Sequence, residues 1–203
     1  MVTQENPAAP RHVAFILIPD YSMIAFASAL EPLRLANQIG ERNYYSWSCH
    51  TLYGDPVSAS NGLSTQPDGP IDEIANADLV VVCAGLDVER QIHPKALLSR
   101  LRFLTSHGAT MGAICTGTYL LAKAGLLDNH RCTIHWENLR GFREEFPDIE
   151  ATSELFEFDN RRVTSAGGTA SLDMMLHYVA TQFGADLAAS IADMMLHHHI
   201  RSG

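Results

Sequence analysis

No apolar run in these 203 residues approaches the length of a membrane span, so no transmembrane segment is expected. There is no CxxC pair, and only four cysteines are present: Cys49, Cys83, Cys115 and Cys132. That spacing gives no disulfide framework and points to a reducing, cytoplasmic setting. Positive charge is scarce, with 14 Lys and Arg against 23 Asp and Glu, a net charge of −9. An acidic surface repels a phosphate backbone, which argues against direct nucleic-acid contact by this segment. Neither GxGxxG nor GxxxxGKS occurs, so no phosphate-cradling loop is recognised and no cofactor is expected. A metal site is not expected either. His197, His198 and His199 are consecutive, and on a helix they point about 100° apart, so they read as surface residues. The first eleven residues, MVTQENPAAPR, lack the apolar core of a signal peptide and read as a disordered lead, residues 1–11, ahead of a domain spanning 12–203.

What is present is core material, 46% hydrophobic, in alternating strand and helix signals. His12 to Pro19 is a continuous apolar run, the mark of a central parallel strand. Ser22 can cap the helix MIAFASALEPLRLANQ, which Pro32 should end or kink. Tyr44 to Gly54 reads as a second strand, and Asn61-Gly62 as the turn of a hairpin within Val57 to Asp68. Ala77 to Gly85 is the next buried strand. His93 to Gly108 reads as an amphipathic helix with Lys95, Arg100 and Arg102 on its wet face. Cys132 to Ile134 is a short strand, followed by a charged surface helix from Trp136 to Pro147. Ser153 to Gly167 is strand, turn at Asp159-Asn160, strand. A helix capped by Thr169 follows, and a last helix runs from Ala185 to Arg201. No domain boundary shows between Val13 and Ile200. The alternation predicts a three-layer α/β sandwich, flavodoxin-like, with a mostly parallel sheet whose strand ends bind ligand.

The chain is organised around GATMGAICTGTYLLAKAGLLDNHRCTIHW, Gly108 to Trp136. A short buried strand, Met111 to Ile114, meets Cys115 on a tight turn, and a helical run follows. Two readings fit this cysteine. It is a buried core thiol beside a helix start, or it is a site residue whose thiol is activated by helix-terminal N–H groups. The second reading predicts a positive φ at Cys115, a thiol pKa lowered by the helix start, and preferential oxidation there. Backbone N–H groups at Gly85 and Thr116 and the side chain of His135 are its candidate partners. Glu31, on a mostly apolar stretch, is either a pocket residue or part of a hydrogen-bonded helix junction.

GAICTGTYLLAKAGLLDNHRCTIHW resembles the nucleophile elbow of the class I glutamine amidotransferase-like superfamily, in its PfpI branch. VTSAGGTASLDMMLHYVATQFG, with the helix ending HHHIR, resembles the rest of the amidotransferase-like sensor domain of AraC-family transcriptional regulators. FASALEPLRLAN is similar to the subgroup responding to arginine, carnitine and glycine betaine. The likeness spans about Val13 to Arg201. It implies a ligand sensor that forms a homodimer and leaves DNA contact to a C-terminal helix-turn-helix domain outside these residues. Registered on Pro19, the acid that superfamily enzymes carry after the first strand falls on Ala25, and Thr116 replaces the histidine that follows the cysteine in the protease branch. Both departures favour binding over turnover, and a cysteine-dependent hydrolase, amidase or hydratase is the rival. A dimerisation module with a vestigial pocket is a third reading. The resemblance implies a small amine-bearing effector. Its carboxylate would sit on the N–H groups near Cys115, Thr116 and Gly117. Its cation would sit on Trp136, which otherwise caps the core, with Tyr21 and Tyr119 as second choices.

Overall fold

The computed structural model describes residues 9–89 and 94–203. Residues 1–8 of the expected lead, and His93 at the expected start of a helix, lie outside them. In chain order the elements begin β1 (Arg11–Leu17), α1 (Met23–Ile39), β2 (Tyr45–Thr51), β3 (Val57–Ser58), β4 (Ser64–Thr65) and β5 (Gly69–Pro70), then a short 3-10 turn, Ile71–Glu73. They continue β6 (Leu79–Cys83), α2 (Lys95–Ser106), β7 (Thr110–Ile114), α3 (Gly117–Lys123), β8 (Arg131–Thr133), α4 (Leu139–Glu145) and β9 (Glu150–Thr152). The last are β10 (Phe156–Asp159), β11 (Arg162–Ser165), α5 (Ala170–Phe183) and α6 (Ala185–Met194).

Seven strands form one sheet in the order β10-β11-β7-β6-β1-β2-β5. Every neighbouring pair is parallel except β10 with β11. The central strands are apolar throughout because both of their faces are covered. Val13, Phe15 and Leu17 of β1 pack into a core shared with α1, α5 and α6. Ala14 and Ile16, one residue out of phase, pack into a second core with α2, α3 and α4. The expected three-layer, flavodoxin-like sandwich is therefore the observed fold. The chain runs from β1 outward to β2, then crosses to β6 on the other flank. The order reverses between β1 and β6, the position where open α/β sheets bind ligands beyond the carboxyl strand ends.

Four local expectations are corrected. Pro32 does not end the first helix; α1 runs through it, and Ala29, Leu33 and Ala36 on its buried face hold the helix against the core on both sides. Arg100 does not lie on a wet face. It reaches back to donate to the carbonyl oxygens of Ile71, Asp72 and Ile74, closing the 3-10 turn onto α2. α4 starts only at Leu139, because Trp136 to Asn138 form a turn. α6 ends at Met194, and His197 to Arg201 are not helical. His197 is accordingly no free surface residue: it meets Asp173 at 2.8 Å.

A chain of polar side chains crosses β1 and β2. His50 Nδ1 lies 3.1 Å from the carbonyl oxygen of Pro70, so that nitrogen carries the proton. His50 Nε2 must then accept from Ser48 Oγ at 2.8 Å. Ser48 Oγ in turn accepts from His12 Nε2 at 2.9 Å, which leaves His12 Nδ1 to accept from Ser46 Oγ at 2.9 Å. Burial, and then the neighbouring His50, lower the His12 pKa against the pull of Asp78 and Asp68. A histidine whose folded pKa is depressed binds its proton better unfolded. Its penalty therefore begins as pH falls through 6.5 and grows until the folded pKa is reached. Denaturation at stepped pH should show stability falling from pH ~7.5 toward pH ~5, less steeply in His12→Gln. An equal slope in the two proteins would contradict this account.

Candidate functional site

The elbow is built by close approach of backbone. β7 delivers Cys115 beyond the sheet edge with φ +57°, the left-handed conformation expected of it. The Cys115 amide donates to the Ser165 carbonyl oxygen at 3.0 Å, tying the turn to the end of β11. Three glycines make room. A Cβ at Gly117 would collide with the Val82 carbonyl oxygen, so only glycine lets α3 settle on β6. A Cβ at Gly167 would lie 2.8 Å from the Cys115 Cβ and 3.2 Å from its sulfur. A Cβ at Gly85 would run into the Asp20 carbonyl oxygen, where Gly85 bridges to Tyr21. Thr116 Oγ1 then donates to the Gly85 carbonyl oxygen at 2.6 Å and locks the two strand ends together.

His135 arrives by a separate route. β8 pairs with β9 and is not part of the large sheet. It is pinned beside the elbow because Thr118 Oγ1 donates to the Thr133 carbonyl oxygen at 2.8 Å and the Thr133 amide donates to Thr164 Oγ1 at 2.9 Å. The result is a cleft of about 370 Å³ lined by Ser22, Ser60, Gly85, Leu86, Asp87, Cys115, Thr116, His135, Glu137 and Asn138. His135 Nδ1 lies 3.8 Å from Glu137 Oε2, a loose ion pair at most, and no hydrogen bond joins the ring to the Cys115 thiol. A second hollow, about 260 Å³, lies beside the ends of β1 and β2 between Leu17, Tyr53 and Leu97; it is more apolar, and Asp55 is the charged side chain on it among the described residues.

The thiol is not activated. Burial pushes Cys115 up to about 11; the Thr116 amide pulls it down, and Glu137 pushes it further up. The expectation of a lowered pKa is therefore overturned: Cys115 is only 7% exposed, and one amide does not offset that desolvation. Cys49, partly exposed in β2, also stands at about 11, so thiolate content gives no ground for selective oxidation at Cys115.

Of the residues predicted from sequence, Gly85, Cys115, Thr116 and His135 meet at the cleft. Gly117 packs behind it without lining it. Glu31 does not reach it; its carboxylate accepts from Arg34 Nε at 2.7 Å on a half-exposed stretch of α1. Trp136 neither lines the cleft nor caps the core, being 73% exposed with its ring tilted against His135. Tyr21 is buried, its hydroxyl 2.6 Å from Thr65 Oγ1, and Tyr119 binds Glu145 behind α3. Ala25 lies in the core, so α1 places no carboxylate beside the sulfur. The acids come instead from two loops, as Asp87 and Glu137, which sequence reasoning missed. Glu137 stood two residues past His135, and Asp87 two past Gly85; those offsets were the available signal.

The DJ-1/PfpI family model matches residues 12–181. The chain belongs to the DJ-1/PfpI family. It is 44% identical over 187 residues to the HTH-type transcriptional regulator CdhR of Pseudomonas aeruginosa, covering 92% of this chain and 55% of that one. It is 40% identical over 193 residues to the HTH-type transcriptional regulator GbdR of the same species, covering 95% of this chain and 52% of that one. The chain thus spans about half the length of the curated relatives it matches. A crystal structure of an AraC family transcriptional regulator from Pseudomonas putida superposes with TM-score 0.85 at 28% identity, covering 92% of this chain and all of that one.

Two predictions follow from the packing and from the thiol. Gly117→Ala should cost roughly 1–3 kcal/mol in denaturant unfolding, the usual cost of overpacking against backbone; an unchanged midpoint would mean that α3 shifts freely. Iodoacetamide alkylation of Cys115, followed peptide by peptide, should still be accelerating at pH 10 because the thiol titrates near about 11. Glu137→Gln should move that profile to lower pH. A plateau by pH 8 would show an activated thiol.

Proposed function

We propose that this chain is the effector-sensing domain, residues 12–203, of an AraC-type transcriptional regulator, and that it binds a small amine-bearing metabolite in the cleft beside Cys115. The observation that carries the reading is the character of the cleft. It holds a protonated, buried thiol with no base hydrogen-bonded to it, and two carboxylates, Asp87 and Glu137, on its walls. Nucleophilic catalysis wants a thiolate or an adjacent base. A cation is drawn to carboxylates at the mouth of a cleft, where Asp87 and Glu137 stand exposed. The similarity to transcriptional regulators over nearly all of this chain supports the regulatory half of the reading.

An arginine-, carnitine- or betaine-like compound fits this chemistry through its cation, held by Glu137 and Asp87. α3 has only seven residues, and the walls beside it are acidic, so its start is a poor seat for the ligand carboxylate. Asn138 and the hydroxyls of Ser22 and Ser60 are the neutral donors that remain for it. DNA contact is assigned to a separate segment, consistent with the net charge of −9. The regulator acts in the cytoplasm as a homodimer; no helix among the described residues is long and apolar enough to cross a membrane. The second reading, a cysteine-dependent hydrolase or hydratase, is favoured by one observation, the retained left-handed elbow at Cys115.

Thermal-shift titration with arginine, carnitine and glycine betaine tests the proposal. A ligand at 100 times its Kd adds about 2.7 kcal/mol of stability, a shift of several degrees for a domain of this size. Glu137→Gln should weaken binding by about 0.2–1 kcal/mol, the usual worth of an ion pair at an exposed carboxylate, whereas Trp136→Ala should leave it unchanged. No shift with any amine, or turnover of an amide or isocyanide that disappears in Cys115→Ser, would sink it.

A further inference from the structure

The turn that backs Cys115 is also the turn that the C-terminal segment grips. Gly167 presses on the thiol side, leaving no room for a Cβ. From that contact the chain passes through Thr169 to Asp173 in the first turn of α5. Asp173 is fully buried, and its carboxylate takes four hydrogen bonds from His197 and Arg201. Arg201 Nη2 and Nε donate to Oδ2 at 2.6 and 3.0 Å, while the Arg201 amide and His197 Nε2 reach Oδ1 at 2.8 Å each. Arg201 Nη2 also donates to Thr169 Oγ1 at 2.9 Å, so that hydroxyl serves the tail in place of capping its own helix. On the other side, Ser165 Oγ accepts from the Gly167 amide at 3.1 Å and meets Ser171 Oγ at 3.2 Å. Residues 165–173 are thus one hydrogen-bonded unit with the elbow on one side and Arg201 on the other.

We infer that the Asp173–Arg201–His197 clasp couples the Cys115 cleft to the C-terminal segment, so that occupancy of the cleft and attachment of the tail bias each other. The inference rests on the reading of the cleft as an effector site, and it names how that site is regulated. The physical reason is the absence of slack. Gly167 stands so near Cys115 that no side chain fits between them, so a group entering beside the sulfur crowds that turn, and Thr169 and Asp173 belong to the same hydrogen-bonded unit. A buried carboxylate that loses its partners is expensive, so the clasp is either made or fully released. That makes the tail a two-state element which the cleft can bias, with reciprocal coupling required by linkage. Arg201 and His197 are positioning residues in this scheme and touch no ligand.

The test needs no ligand, so it stays separate from the thermal-shift result. Iodoacetamide labelling at pH 9 is followed for each cysteine in the full chain, in Arg201→Ala and in His197→Ala/Arg201→Ala. Releasing the clasp frees the Gly167 turn, so labelling of Cys115 should rise at least threefold in Arg201→Ala and further in the double variant. Cys83 and Cys132, fully buried in β6 and β8, should label at the unaltered rate. Should Cys115 labelling stay the same in both variants, the clasp does not reach the cleft. A parallel rise at Cys83 and Cys132 would mean general loosening and would equally overturn the coupling.

Discussion

The arrangement depends on one constraint: several backbone segments meet at Cys115 with no space for side chains between them. Gly117 lies against the Val82 carbonyl, Gly167 against the cysteine itself, and Gly85 against Asp20. A left-handed residue that is not glycine costs roughly 1–3 kcal/mol and persists only where its surroundings over-determine it. Here they do. The Cys115 amide is bonded to Ser165, and the Thr116 hydroxyl to Gly85, so the turn is fixed from β11 on one side and from the end of β6 on the other. The strain therefore serves to aim the thiol into the cleft.

Aiming a thiol is not activating it. Two effects oppose each other at the sulfur, an amide at the helix start and the loss of water. Burial wins and holds the pKa at about 11. Glu137 adds to the same side, since a carboxylate near a sulfur disfavours a second negative charge. The same carboxylate that suppresses the nucleophile is the group best able to attract a cation. A carboxylate near the sulfur works against a thiolate and toward a cation, and here it reaches the cleft from the loop beyond β8 rather than from α1.

The layered fold was legible because its signals are local. The runs at β1 and β6 are apolar on both faces, the Asn61-Gly62 and Asp159-Asn160 turns fall where hairpins form, and small residues flank Cys115. The site was half legible for the same reason. Gly85, Thr116 and His135 sit at strand ends that sequence can find. Asp87 and Glu137 are exposed loop residues whose direction depends on tertiary contacts, and only their offset of two from Gly85 and His135 hints at the cleft. Trp136 misled because aromatic residues beside a site are usually packed. Here a turn at residues 136–138 swings the indole to solvent. Arg100 and His197 misled differently: each looked like surface charge, yet each has a partner far away in sequence, at Ile71–Ile74 and at Asp173.

The distribution of buried polar groups shows where the fold is most tightly specified. Thr116, Thr118, Thr133, Thr164, Ser165, Ser171 and Asp173 are all buried, and all lie around the elbow or on the turn behind it. Each has a partner within the protein. Hydrophobic packing alone tolerates small slips of one element against another, because apolar contacts are non-directional. Hydroxyl and carboxylate bonds do not, since a shifted partner leaves a desolvated group unpaired at about 1–3 kcal/mol. The polar network therefore holds β8, β11, α3 and α5 in one register around the cysteine, while His50 and Thr51 in β2 and Glu157 in β10 are buried polar residues away from it. A shift of any of these elements would leave one of those groups unpaired, so the elbow and the turn behind it keep one geometry.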